Sequence, residues 1–165
     1  MVAVEWMQQA PAEISMAVLI NTSLRPYCRL TQRLRVSAWP PLLAIASRAR
    51  TPRAAEQRIL RLTSHRETAI AEVLDDWTRW RCTHPVSAGN ALRQLAAAAR
   101  FRAVPPSPPT RVLLLASRSD QLVDVACSRQ IAAAWHCELR EHPWAGHDLP
   151  LDDGPWIART AGDWI

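Results

Sequence analysis

The sequence contains no lysine: all 20 of its basic residues are arginine. It also has only four glycines in 165 residues, Gly89, Gly146, Gly154 and Gly162. That scarcity excludes several functions at once. A dinucleotide fingerprint needs three glycines within six positions, and a phosphate-binding loop needs two with a lysine after the second. A nucleophile elbow, G-x-S-x-G, needs glycines four apart. None of these can be built. Cys28, Cys82, Cys127 and Cys137 form no C-x-x-C pair, so zinc and redox motifs lack their spacing. There is no internal repeat. The apolar run Met16 to Ile20 is far shorter than the roughly 20 residues that span a bilayer. No basic leader precedes an apolar stretch. The expectation is a soluble cytoplasmic protein with reduced thiols and no membrane partner.

What is present is a globular composition, 48% apolar and 21% charged, at a length normal for one domain. The net charge of +5 invites a nucleic-acid reading. The arginines are scattered, however, and Asp and Glu interleave with them. A solvated cationic surface accounts for the charge better than a nucleic-acid groove, and replacement of lysine by arginine fits the codon bias of a GC-rich genome.

The chain reads as two kinds of territory. Residues 1–12 predict a helix with no N-terminal cap, ended by Pro11. Residues 15–23 hold a continuous apolar run between polar turn residues, which predicts a strand buried on both faces, as in a parallel sheet. Residues 25–103 look helical throughout. Ile59, Leu60 and Leu62 mark one helix, and Ile70, Val73, Leu74, Trp77 and Trp80 mark another. A third runs to Phe101, with Ser87 as N-cap. Pro105, Pro106, Pro108 and Pro109 form a stiff connector. Then come a strand over Arg111–Ala116, a helix over Val123–Trp135, a strand over Cys137–His142, and a closing helix over 155–165. Gly146 and Gly154 bracket the loop before it. Strands alternating with helices imply an α/β fold with a parallel sheet. The division expected is a core of 1–24 and 104–165 with a helical insert of 25–103.

In such sheets, sites form at the carboxyl ends of strands. The second strand is followed by Ser117-Arg118-Ser119-Asp120, the third by Ala145-Gly146-His147-Asp148. If the two strands are neighbours, Asp120 can accept from one ring nitrogen of His147 and leave the other as a general base. The bland reading stays open beside it: Asp120 as a turn former, His147 as an exposed loop residue. Asp124 is a rival acid but also a ready N-cap. His136, Cys137 and His142 invite a metal reading, yet along a strand their side chains alternate between faces. No metal site is expected there.

The strings LLLASRSDQLVD and HPWAGHDLPLDDGPW are similar to the closing segments of the α/β-hydrolase family. The opening string MVAVEWMQQAPAEISMAVLINTSLRP resembles that family's helix behind the nucleophile elbow and its next strand. The family's elbow reads G-x-S-x-G-G followed by a Met, which Met1 fits. The resemblance implies a partial α/β-hydrolase fold with a helical cap at about 25–103. It implies Asp120 as triad acid, His147 as base, and hydrolysis of an ester-type bond without metal or organic cofactor. It also implies that the serine and the oxyanion loop lie upstream of Met1, so that the chain alone has no turnover. An unpaired strand edge at residues 15–23 would then favour self-association. The alternative is a catalytically inactive remnant that binds a partner or ligand. Trp39, Trp77, Trp80 and Trp144 are expected either to line a cleft under the cap or to serve as its packing.

Overall fold

A computed structural model of the chain describes residues 1–48, 51–106 and 110–165, without the side chains of 46–48. Pro108 and Pro109 of the expected connector, and the Ser47 side chain, lie outside the described residues. Three parallel strands, β1 (Met16–Ile20), β2 (Arg111–Ser117) and β3 (Glu138–His142), form one sheet in that order. Leu114 stands opposite Leu19 on one side and Leu139 on the other.

The two-residue period of β2 sorts its side chains between two layers. Val112 and Leu114 join Leu19 against α1 (Val2–Gln9) and α7 (Val125–Trp135), where Val4, Met7, Cys127 and Ile131 are buried. Leu113 and Leu115 face the other way, onto Leu149, Trp156 and Ile157 of α8 (Leu149–Gly162). The central strand is therefore covered on both faces, and Val112 to Ser117 are all buried.

The helices between β1 and β2 are α2 (Leu30–Arg33), α3 (Trp39–Arg48), α4 (Pro52–Thr63), α5 (Glu67–Thr83) and α6 (Ala88–Arg100). α4 and α5 pack through Leu60, Ile70 and Leu74, with Leu151 of α8 against them. Ser87 caps α6 by accepting from the Asn90 N–H.

Several expected boundaries shift. α1 stops at Gln9, and Pro11 opens a single tight turn over Pro11–Glu13; its ring would collide with the carbonyl four residues back in a continuing α-helix. β3 starts at Glu138, one residue late. α7 starts at Val125, because Asp124 is its N-cap. α8 begins at Leu149 rather than 155 and bends at Asp153, whose φ of −150° is not helical. Pro155 imposes that bend, and the Asp153 carboxylate accepts from the Trp156 N–H to restart the helix. Gly154 thus lies inside α8 and does not close a loop.

The largest correction concerns β1. It covers 16–20 and is not buried on both faces: only Leu19 is buried, and Met16 is 39% exposed. Among the described residues β1 pairs on one side only. The two edges of the sheet differ sharply. β1 offers Met-Ala-Val-Leu-Ile without a charge. β3 carries Glu138 paired with Arg140, and Glu141 paired with Arg129 and Arg118. The Arg129 guanidinium, seconded by Arg118, holds the Glu141 carboxyl down to about 2. Charged edges of the β3 kind resist strand addition, and the β1 kind invites it.

Candidate active site at the carboxyl ends of the strands

Because β2 and β3 are adjacent and parallel, the loops leaving them lie side by side. The structure brings Asp120 and His147 together: His147 Nδ1 lies 2.7 Å from Asp120 Oδ2. Asp120 is 2% exposed, and its other oxygen accepts from the Leu122 and Val123 N–H groups at 2.7 and 3.0 Å. With both oxygens occupied, the carboxylate is held in one orientation. The His147 side chain is 34% exposed, and its Nε2 has no partner among the described residues. Burial by itself would lower the His147 pKa. The hydrogen bond donated to Asp120, the charge of Asp120 and that of Asp148 outweigh burial and raise it above the ordinary value. The arrangement therefore suits an imidazole that donates at Nδ1, accepts a proton at Nε2 and is stabilised when charged.

Asp124 sits elsewhere in its chemistry. Its carboxylate accepts from the Ala126 N–H and caps α7. His136 closes α7 in the left-handed region, at φ 51°. His142 is buried, with Nδ1 accepting from the Ala145 N–H and Nε2 donating to Asp153 at 3.2 Å. His136, Cys137 and His142 thus serve separate local structures. Among the described residues, no group of three or more His, Cys, Asp or Glu is placed to hold a metal ion.

The four tryptophans do not line one cleft. Trp144 packs edge-on against His142, with ring centroids 5.0 Å apart. Trp77 packs on the Leu60 cluster and shares a shallow cleft with Trp80, Glu56 and His84. Trp39 is half-exposed.

Two residues that spacing did not single out organise the loops. Asn21 follows β1 in the left-handed region, at φ 45°, a conformation asparagine tolerates better than most side chains. Its Nδ2 donates to the Gly146 and His147 carbonyls at 3.2 and 2.7 Å, and its Oδ1 accepts from the Ser117 N–H at 2.7 Å. One buried amide thus ties all three strand ends. Asp152, in the first turn of α8, accepts from the Gly146 N–H and from the turn between α4 and α5. The sequence signal for Asn21 is slight, a polar residue ending an apolar strand. For Asp152 there is none, since its partners in that turn lie more than 80 positions away.

No protein-family model and no curated protein sequence matches the chain. Solved structures do. A 2-hydroxy-6-oxo-6-phenylhexa-2,4-dienoate hydrolase from a Rhodococcus species matches with a TM-score of 0.71 at 16% identity, over 98% of this chain and 59% of its own. An α/β-fold-family hydrolase from Bacillus anthracis matches at 0.70 and 12% identity, over 99% and 63%. This chain carries an α/β-hydrolase fold. A thermophilic esterase from Thermogutta terrifontis agrees at 0.66 and 16% identity, over 99% and 60%. The chain spans about three fifths of the length of these hydrolase-fold neighbours. Among the described residues, no helix is long and apolar enough to cross a membrane.

Proposed function

We propose that this α/β-hydrolase-fold chain supplies the acid and the base of a serine hydrolase that cleaves an ester-type bond. The observation that carries the reading is the 2.7 Å contact between His147 and a fully buried Asp120 at the carboxyl ends of adjacent parallel strands. The hydroxyl nucleophile belongs to a segment outside these 165 residues, since no G-x-S-x-G occurs in them. The bare apolar edge of β1 supports this: it is the face on which a further parallel strand would add, and the elbow would lie at that strand's carboxyl end.

In this reading His147 Nε2 takes the serine proton as the oxygen attacks the carbonyl carbon. Asp120 fixes the ring through Nδ1 and stabilises the imidazolium. The same proton is then given to the leaving oxygen as the ester C–O bond breaks. In the second half-reaction water, deprotonated by His147, attacks the acyl carbon, and the proton passes to the serine oxygen as the acyl–serine C–O bond breaks. No metal or organic cofactor has a part in these steps. The four free thiols support the reading of a reducing compartment such as the cytoplasm.

A fluorophosphonate probe tests the proposal. The 165-residue chain is expected to remain unlabelled. A longer form, translated in frame from DNA upstream of the Met1 codon and carrying G-x-S-x-G-G, is expected to label at that serine. In that form Asp120→Asn should lower kcat about 10⁴-fold, through loss of the correct imidazole tautomer. Stoichiometric serine labelling of the 165-residue chain, or full activity in Asp120→Asn, would overturn the reading. In the absence of such a segment, the β1 edge is expected to pair with a second copy, giving concentration-dependent association in sedimentation.

A further inference from the structure

We propose that Asp152 is a positioning residue for His147, fastening the loop that bears the imidazole to the helical insert; the proposal rests on the assignment of His147 as base. The Asp152 carboxylate is 1% exposed and has donors on two sides. From the loop, the Gly146 N–H reaches it at 2.6 Å. From the turn joining α4 to α5 come the Ser64 hydroxyl, the His65 N–H at 3.0 Å and the Arg66 N–H at 3.0 Å. Burial alone would push this carboxyl up, but those four donors hold it below the ordinary range. It is therefore a charged, saturated hub.

The hub sits one residue from the base. Gly146 directly precedes His147. On the other side of His147, the Asp148 N–H donates to the Thr63 carbonyl at 2.7 Å. Both flanks of the imidazole-bearing residue are thus strapped to the same turn of the insert. Gly146 permits this approach: a Cβ there would lie 2.5 Å from the Thr63 carbonyl oxygen. A further contact closes the ring of interactions, with His65 Nε2 donating to the Ser119 carbonyl, next to Asp120, at 3.0 Å. The insert is consequently part of the mount for the base. A contact as short as the one between Nδ1 and Oδ2 tolerates little displacement, so loosening Asp152 should release it.

Nuclear magnetic resonance of the ¹⁵N-labelled full chain reads this without any need for turnover. His147 is assigned through its absence in His147→Gln. The wild type should show an exchange-protected Nδ1–H resonance. Asp152→Asn turns an amide NH₂ toward N–H donors. It should abolish that resonance and return the imidazole titration toward that of a free histidine. Ser64→Ala removes one donor and should weaken the resonance partly. Asp124→Ala, which uncaps α7, should lower the melting temperature and leave the resonance intact. Retention of the resonance in Asp152→Asn overturns the proposal while the base assignment stands. Its loss in Asp124→Ala also overturns it, by showing a general effect of destabilisation. If Asp152→Asn does not fold, an unchanged resonance in Ser64→Ala overturns it. Absence of the resonance and of a raised titration in the wild type overturns the base assignment itself.

Discussion

The central strand of the sheet and helix α6 of the insert are built from equally regular patterns but are buried very differently. β2 is covered on both faces, and Leu113, Leu114 and Leu115 have no exposed surface. α6 is an amphipathic helix with a good N-cap, yet none of its residues is buried, and Leu92 and Leu95 are 66% and 65% exposed. α1 and α6 together line an apolar groove with Trp6, Ala97 and Phe101. A pattern in sequence therefore tells which face of an element is apolar. It does not tell how much water that face loses, and only the loss of water stabilises. The site belongs to both regions: Asp120 and His147 hang from the sheet, while Asp152 ties the His147 loop to the insert.

The sharpest test of the contrast is a pair of truncations. Leu114→Ala should cost about 2–5 kcal/mol in denaturant unfolding, because it opens a cavity in a close-packed layer. Leu92→Ala should cost under about 0.5 kcal/mol, since its side chain already meets water. Equal losses would mean that α6 is covered in solution and that the contrast fails.

A second, smaller pair compares helix caps. Asp124→Ala should cost about 1 kcal/mol of global stability, because α7 packs on the sheet. Ser87→Ala removes the same kind of bond, but its effect should stay local. Amide exchange over residues 88–91 should quicken while the main melting transition holds.

The smallest effect is the pH dependence contributed by the site. The folded His147 pKa lies above its ordinary 6.5. A raised pKa means that the folded chain binds this proton more tightly than the unfolded chain does. The stabilisation is then complete below about 6.5 and fades as pH rises through the folded value. Wild type should melt above His147→Gln by the widest margin on the acid side of 6.5, and the margin should close in alkali. A margin that instead grew with pH would contradict the pairing with Asp120.

Much of this architecture is legible in the sequence. RVLLLA is apolar at every position from Val112 to Ala116, as a central parallel strand must be. Ser87 and Asp124 stand where helix caps stand, because capping is a contact across two or three residues. Asp120 and His147 were visible as the residues that follow two strands. Their meeting was not, since it depends on β2 and β3 being neighbours. The same limit applies to MAVLI: its composition predicts burial on both faces, but burial requires a partner strand that composition cannot supply.

Local chemistry thus marked most of the helices and strands, the caps at Ser87 and Asp124, and the two loops that carry Asp120 and His147. The tertiary structure alone decided that β1 pairs on one side only among the described residues, that Asn21 joins three strand ends, and that Asp152 binds a turn more than 80 residues away. The reason is range. Helix and strand patterns arise from steric and hydrogen-bonding preferences over a few residues. A carboxylate surrounded by four donors exists only after distant segments have packed and excluded water between them.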